Sequence, residues 1–69
     1  MKISARNQLK GMVKKVEHGA VNSEVTMELP GGIELVSLIT KHSAEQLQIA
    51  AGREAYALIK ATDVIIGSD

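Results

Sequence analysis

Residues Val21 to Leu29 alternate strictly, with Val21, Ser23, Val25, Met27 and Leu29 on one face and Asn22, Glu24, Thr26 and Glu28 on the other. A period of two predicts a β-strand with one buried face, because successive side chains leave opposite sides of a pleated backbone. Pro30-Gly31-Gly32 interrupts the run with turn chemistry: proline presets φ and glycine accepts positive φ. An aliphatic run from Ile33 to Thr40 follows, so the two segments read as a β-hairpin. Upstream, Leu9 to Glu17 reads as an earlier strand ending at His18-Gly19. Its alternation is imperfect, with Met12 and Val16 on one face and Leu9, Gly11 and Val13 on the other. The adjacent Lys14-Lys15 pair marks a candidate bulge, and Gly11 fits a close backbone approach or strong curvature.

Downstream the period changes. Ser43-Ala44-Glu45-Gln46 has the spacing of a capping box, with Ser43 at the N-cap and Gln46 three residues on. A short helix over residues 44 to 50 follows, with Leu47 and Ala50 facing inward and Gly52 placed to end it. Glu54 to Lys60 and Thr62 to Ile66 then read as two more strands. The predicted order is three strands, a short helix and two strands, which is the arrangement of a five-stranded OB-fold barrel with its helix between strands 3 and 4. The expected fold class is therefore all-β, and residues 1–69 form a single domain.

Composition adds a reason for assembly. A chain of 69 residues buries only ~60% of its unfolded surface when it folds alone. Disulfides, metals or oligomerisation commonly support domains of this size. Cysteine is absent, and His18 and His42 are the only histidines, too few for a structural zinc site without other strong ligands. Hydrophobic residues make up 45% of the chain and are almost all aliphatic, Tyr56 being the only aromatic. Part of that surplus is expected to be covered by another copy, although a plain aliphatic core also accounts for some of it.

Charge and hydropathy narrow the partners. Eight basic and eight acidic residues balance, so no long-range field steers nucleic acid or an anionic membrane toward the chain. Single-strand binders stack bases on several aromatic rings. Tyr56 is the one ring available, and on a strand it reads as a core or subunit-contact residue. No stretch approaches the ~20 apolar residues of a membrane span, and Met1-Lys2-Ile3-Ser4 turns polar at once. A soluble cytoplasmic protein without nucleic-acid or membrane partners is the expectation.

Catalysis finds little support. The hydroxyl residues show no spacing suited to a Ser-His-Asp arrangement, the carboxylates mostly alternate outward along strands, and no glycine pattern of a phosphate loop is present. The expectation is a protein that is not an enzyme, with no catalytic cofactor and no residues bonded directly to a metal. Three segments do offer hydrogen-bond donors: Ser4-Ala5-Arg6-Asn7, Thr40-Lys41-His42-Ser43 running into a helix start, and Lys60-Ala61-Thr62. Each also has an ordinary explanation. Ser43 can simply cap its helix, Arg6 can pair with a surface glutamate, and Lys60 can be a solvated strand end.

These segments carry a resemblance. Ile3-Ser4-Ala5-Arg6-Asn7-Gln8-Leu9-Lys10-Gly11, then Ile39-Thr40 with Ser43 beyond, then Ala57-Leu58-Ile59-Lys60-Ala61-Thr62 resemble the molbindins. These are small cytoplasmic molybdate-binding (Mop) proteins with an OB-like, TOBE-type fold. That fold recurs in molybdate-responsive regulators and transporter ATPase subunits. The likeness runs from Lys2 to Ile66, in order and with matching spacers, and Ser4-Ala5-Arg6-Asn7 is its most specific part. It implies a hexamer, a trimer of dimers, holding molybdate or tungstate between subunits. By matching position, Ser4 and Arg6 would donate from their side chains and Ala5 from its backbone N–H. Thr40 and Ser43 would add hydroxyls, and Lys60 with the Ala61 backbone would close the site. Some relatives carry Ser where this chain has Ala61, so one hydroxyl contact is missing; Pro30 and His42 are also less typical.

The chemistry of these groups suits such a ligand. Arginine, lysine and backbone N–H groups only donate, so a pocket built from them fits a fully deprotonated tetrahedral oxyanion and offers no acceptor for the proton of a phosphate. The expected function is oxyanion binding for intracellular molybdenum storage and homeostasis. The alternative is a sensing module that acts on a separate partner protein.

Overall fold

The computed structural model describes all residues, Met1–Asp69. In chain order the elements are β1 (Asn7–His18), β2 (Asn22–Glu28), β3 (Glu34–Thr40), the helix α1 (Lys41–Gln46), β4 (Glu54–Ile59) and a single 3-10 turn, Ala61–Asp63. The strands form one antiparallel sheet in the order β3-β2-β1-β4, curled into a half-barrel. Four strands are present where five were expected. Val64 has an extended backbone (φ −89°, ψ 124°), but Thr62 to Ile66 pair with no strand. Alternation reads extended conformation and apolar character; it does not reveal the neighbour that turns an extended segment into a strand.

The long strand β1 holds the sheet together. Its first half pairs with β4, from Asn7↔Ile59 to Met12↔Glu54, and its second half with β2, from Met12↔Glu28 to His18↔Ser23. Between Val13↔Met27 and Lys15↔Thr26 one residue, Lys14, is left over. This is the bulge anticipated at Lys14-Lys15, and it explains the broken alternation. An extra residue shifts the inward phase by one, so Val13 faces inward before the bulge and Val16 after it. Val13, Val25 and Met27 form the buried centre, with Val16, Ile39, Ile49, Ala55 and Ala57 packed against it. On β2, Ser23, Val25 and Met27 are buried as expected, whereas Val21 lies outside the strand and is 71% exposed. Leu29 is half-buried beyond the other end. Gly11 sits against β2: a Cβ there would lie 2.7 Å from the Glu28 carbonyl oxygen and 2.9 Å from Leu29 Cδ2. The curl of the sheet therefore depends on that position having no side chain.

The β2–β3 turn follows its composition. Gly32 N–H donates to the Leu29 carbonyl at 3.1 Å, with Pro30 leading and Gly31 at φ +92°, the arrangement of a type II turn. The helix departs from its expected limits. Thr40, not Ser43, is the N-cap: its Oγ1 accepts from the Ser43 N–H at 3.0 Å. The helix ends at Gln46 with Leu47 as its C-cap, and Gln48, not Gly52, is the residue that closes it. Gln48 adopts φ +55°, its N–H donates to Glu45, and the Ile49 N–H donates to Ala44. These paired bonds form a Schellman closure. Because the helix closes earlier than expected, Leu47 is its C-cap and Ala50 lies beyond it; Ala44 is buried while Leu47 is 67% exposed and Ala50 is exposed. Gly52, at φ +88°, serves a separate turn that leads into β4.

Candidate functional site

The order of the strands decides which donors meet. Asn7 and Ile59 are the last paired residues of β1 and β4, so the Ser4–Arg6 segment and Lys60–Ala61 leave the sheet side by side. Asn7 fastens this corner, donating from Nδ2 to the Ile59 carbonyl at 3.1 Å. Gln8 holds the segment from the other side, its Nε2 donating to the Ala5 carbonyl at 3.0 Å. Ala5 is 8% exposed and anchors the segment, while Ser4, Arg6, Lys60 and Ala61 are exposed. Asn7 and Gln8 belong to the same motif, and nothing in their residue types alone distinguishes them from ordinary polar strand residues. Their part is to hold the donors in place.

Thr40 and Ser43 stand elsewhere. Thr40 ends β3 opposite Asn22, and the Lys41 N–H donates to the Val21 carbonyl at 2.7 Å. That is the end of the sheet where β1 finishes at His18. The helix that carries Ser43 packs on β2 and β3. The two hydroxyls are already joined, Thr40 Oγ1 donating to Ser43 Oγ at 2.7 Å. The seven residues thus form two groups within one chain, Ser4, Ala5, Arg6, Lys60 and Ala61 at one end of β1 and Thr40 and Ser43 at the other. A 12-residue strand spans ~36 Å when straight, and even a curled one keeps its two ends from sharing a small ligand.

Ion pairing sets the cations of the outer face apart from the rest. Across the outer face, Lys10 pairs with Glu54 (3.4 Å), Lys15 with Glu17 (3.0 Å), and Lys14 with both Glu28 and Glu34. The hydrogen bond and the charge of Lys14 hold the Glu34 carboxyl below its ordinary range, and Glu34 in turn raises Lys14. Lys15 is raised by its hydrogen bond to Glu17. Arg6 and Lys60, like Lys2, Lys41 and Arg53, take part in no ion pair, so the ordinary reading of Arg6, a glutamate partner, does not hold. One acidic residue does lie close in sequence: Asp63 shares the turn after Lys60, its N–H donating to the Lys60 carbonyl at 2.9 Å.

Other chemistry is sparse. His18 Nδ1 lies 2.6 Å from Ser23 Oγ, but Ser23 is fully buried, out of reach of a substrate. No group of three His, Asp or Glu side chains is arranged to hold a metal ion. No helix is long and apolar enough to cross a membrane.

Comparison with known proteins fits this picture. The TOBE domain model matches residues 3–66. A probable molybdenum-pterin-binding protein of Haemophilus influenzae is 49% identical over 67 residues, covering 97% of each chain. The structure of MopII from Clostridium pasteurianum superposes with a TM-score of 0.92 at 45% identity, covering 97% of this chain and 100% of that one. The cytoplasmic molybdate-binding protein ModG, crystallised with molybdate bound, superposes with a TM-score of 0.91 at 49% identity over 94% of this chain and 46% of ModG. The half-barrel with one short helix is thus the fold of the Mop proteins, a family of binding proteins and not of enzymes. With the family model matched over nearly its whole length and the Mop proteins as close homologues, this chain belongs to the TOBE domain family.

Proposed function

We propose that the protein binds molybdate, and tungstate with it, at sites shared between copies of the chain, and serves as a cytoplasmic reserve of molybdenum. The observation that carries this reading is the corner where β1 and β4 end: Arg6 and Lys60 emerge together, and neither is neutralised by a carboxylate. Two unpaired cations beside backbone N–H groups attract an oxyanion, and each charge-assisted hydrogen bond is roughly twice as strong as a neutral one. Ser4, Ala5 and Ala61 complete this half with a hydroxyl and two backbone donors. Thr40 and Ser43, held at the far end of β1, complete the site from another copy. A hexamer, arranged as a trimer of dimers, would close several such sites at once. Relatives named for binding molybdenum-pterin and molybdate support the choice of ligand.

Selectivity follows from the donors. The set holds no carboxylate, the strong acceptor that the proton of a phosphate would call for, and sulfate, being smaller, would leave some donors unfilled. Calorimetric titration with molybdate, sulfate and phosphate tests the reading. Saturable heat is expected for molybdate alone; an assembled, folded protein that gives no molybdate heat would contradict it.

A further inference from the structure

The corner where Arg6 and Lys60 emerge also carries a carboxylate. Lys60 is the N-cap of the 3-10 turn and Asp63 its last residue, one turn apart in a helix of three residues per turn. Backbone bonds close that turn, the Asp63 N–H donating to the Lys60 carbonyl at 2.9 Å and the Val64 N–H to the Ala61 carbonyl at 3.3 Å. The Asp63 side chain is exposed and takes part in no ion pair and no hydrogen bond. The one carboxylate of β4, Glu54, lies at the far end of the strand and pairs with Lys10. On the outer face, neighbouring charges of opposite sign have joined, Lys14 with Glu28 and Glu34 and Lys15 with Glu17. At this corner they have not: Arg6, Lys60 and Asp63 stand unpaired.

We propose that Asp63 is the counter-charge of this site, a carboxylate that competes with the bound oxyanion for Lys60 and so limits how tightly the ligand is held. The inference rests on the proposed anion site and adds to it the residue that eases release. Lysine carries its ammonium on a flexible four-carbon stem, so changes of rotamer move it between a ligand and a neighbour one turn away. With the site empty, Asp63 offers Lys60 an internal partner. With a dianion bound, Lys60 turns to the ligand, and Asp63 is left as an uncompensated negative charge close to it. Repulsion scales with the product of the charges, so a dianion feels twice what a monoanion feels. Asp63 and Lys60 are both exposed, so dissolved salt screens the effect. The other groups of the corner attract the ligand and Asp63 opposes it, which suits a protein that must give up its cargo.

Molybdate titration of the parent, Asp63→Asn and Asp63→Ser at low and at high salt tests this. Both variants remove the charge, the first with almost no change of shape, and circular dichroism with a melting curve checks that each keeps its sheet. Affinity is expected to rise roughly 3- to 10-fold in both at low salt, and the gain to shrink as salt is added. In a Lys60→Met background, which removes the cation for which Asp63 competes, Asp63→Asn is expected to give less than half of that gain. Folded variants that bind no tighter than the parent would overturn the inference while leaving the anion site in place. A gain that high salt does not reduce, or one undiminished without Lys60, would overturn it as well, since neither belongs to a charge competing for that lysine. A parent that gives no molybdate heat would overturn the anion site and this inference together, so the two failures are told apart by the parent alone.

Discussion

The two ends of β1 carry different kinds of donor. At its start the donors are charged: Arg6 and Lys60 flank the last β1–β4 pair, without ion pairs, on a segment fastened by Asn7 and Gln8. At its finish they are neutral: Thr40 and Ser43 hydroxyls already bonded to each other and to the first turn of α1. The charged end supplies attraction but is exposed. The neutral end supplies geometry fixed in advance by a helix cap. On the proposed reading an oxyanion needs both, and because one chain holds them apart, assembly of the site and assembly of the protein become one event.

Breaking the charged end should matter most. Arg6→Ala is expected to weaken molybdate binding roughly 100-fold, on the order of 3 kcal/mol for lost charge-assisted hydrogen bonds, with thermal unfolding unchanged. Titration alongside a melting curve checks both halves of that statement, and an unaltered affinity would put the site elsewhere. Lys60→Ala should follow at roughly 10- to 30-fold, since lysine acts as a single point charge.

The neutral end should give smaller and separable effects. Ser43→Ala removes one neutral hydrogen bond and is expected to cost about 1 kcal/mol of binding, roughly 5-fold. Thr40→Ala removes a hydroxyl and the helix cap together, so about 1 kcal/mol of folding stability should be lost as well. Comparing urea midpoints of the two variants distinguishes them. Equal stability would mean that the Thr40 cap contributes nothing.

The outer face, whose cations are all paired, should respond least. The folded-state pKa of Glu34 is lowered by Lys14 from an ordinary value of 4.5. That contribution is therefore present above pH 4.5 and fades as the pH falls through the lowered value. Lys14→Met should flatten the acid side of the stability–pH curve slightly and leave molybdate binding alone. These groups are exposed, so solvent screening keeps the effect small.

Much of the fold was legible in the residue pattern. The hairpin at Pro30-Gly31-Gly32, the bulge at Lys14-Lys15 and the tight approach at Gly11 each rest on local chemistry, and the structure has all three. The helix was misplaced because two hydroxyls three residues apart, Thr40 and Ser43, both suit an N-cap. Only the end of β3 decides between them, and that is a tertiary fact. The fifth strand was over-read because Val64-Ile65-Ile66 has strand character but no partner in its own chain. For the site, residue types pointed to anion capture. They did not reveal that Arg6 and Lys60 share a corner while Thr40 and Ser43 lie across the sheet, since that depends on the pairing register.

The most direct test of this division is a crystal structure of the protein with molybdate, located by anomalous scattering from molybdenum. The account predicts a peak bounded by Arg6 and Lys60 of one copy and by Thr40 and Ser43 of another. A peak held by one chain alone, or one touching none of these residues, would contradict it.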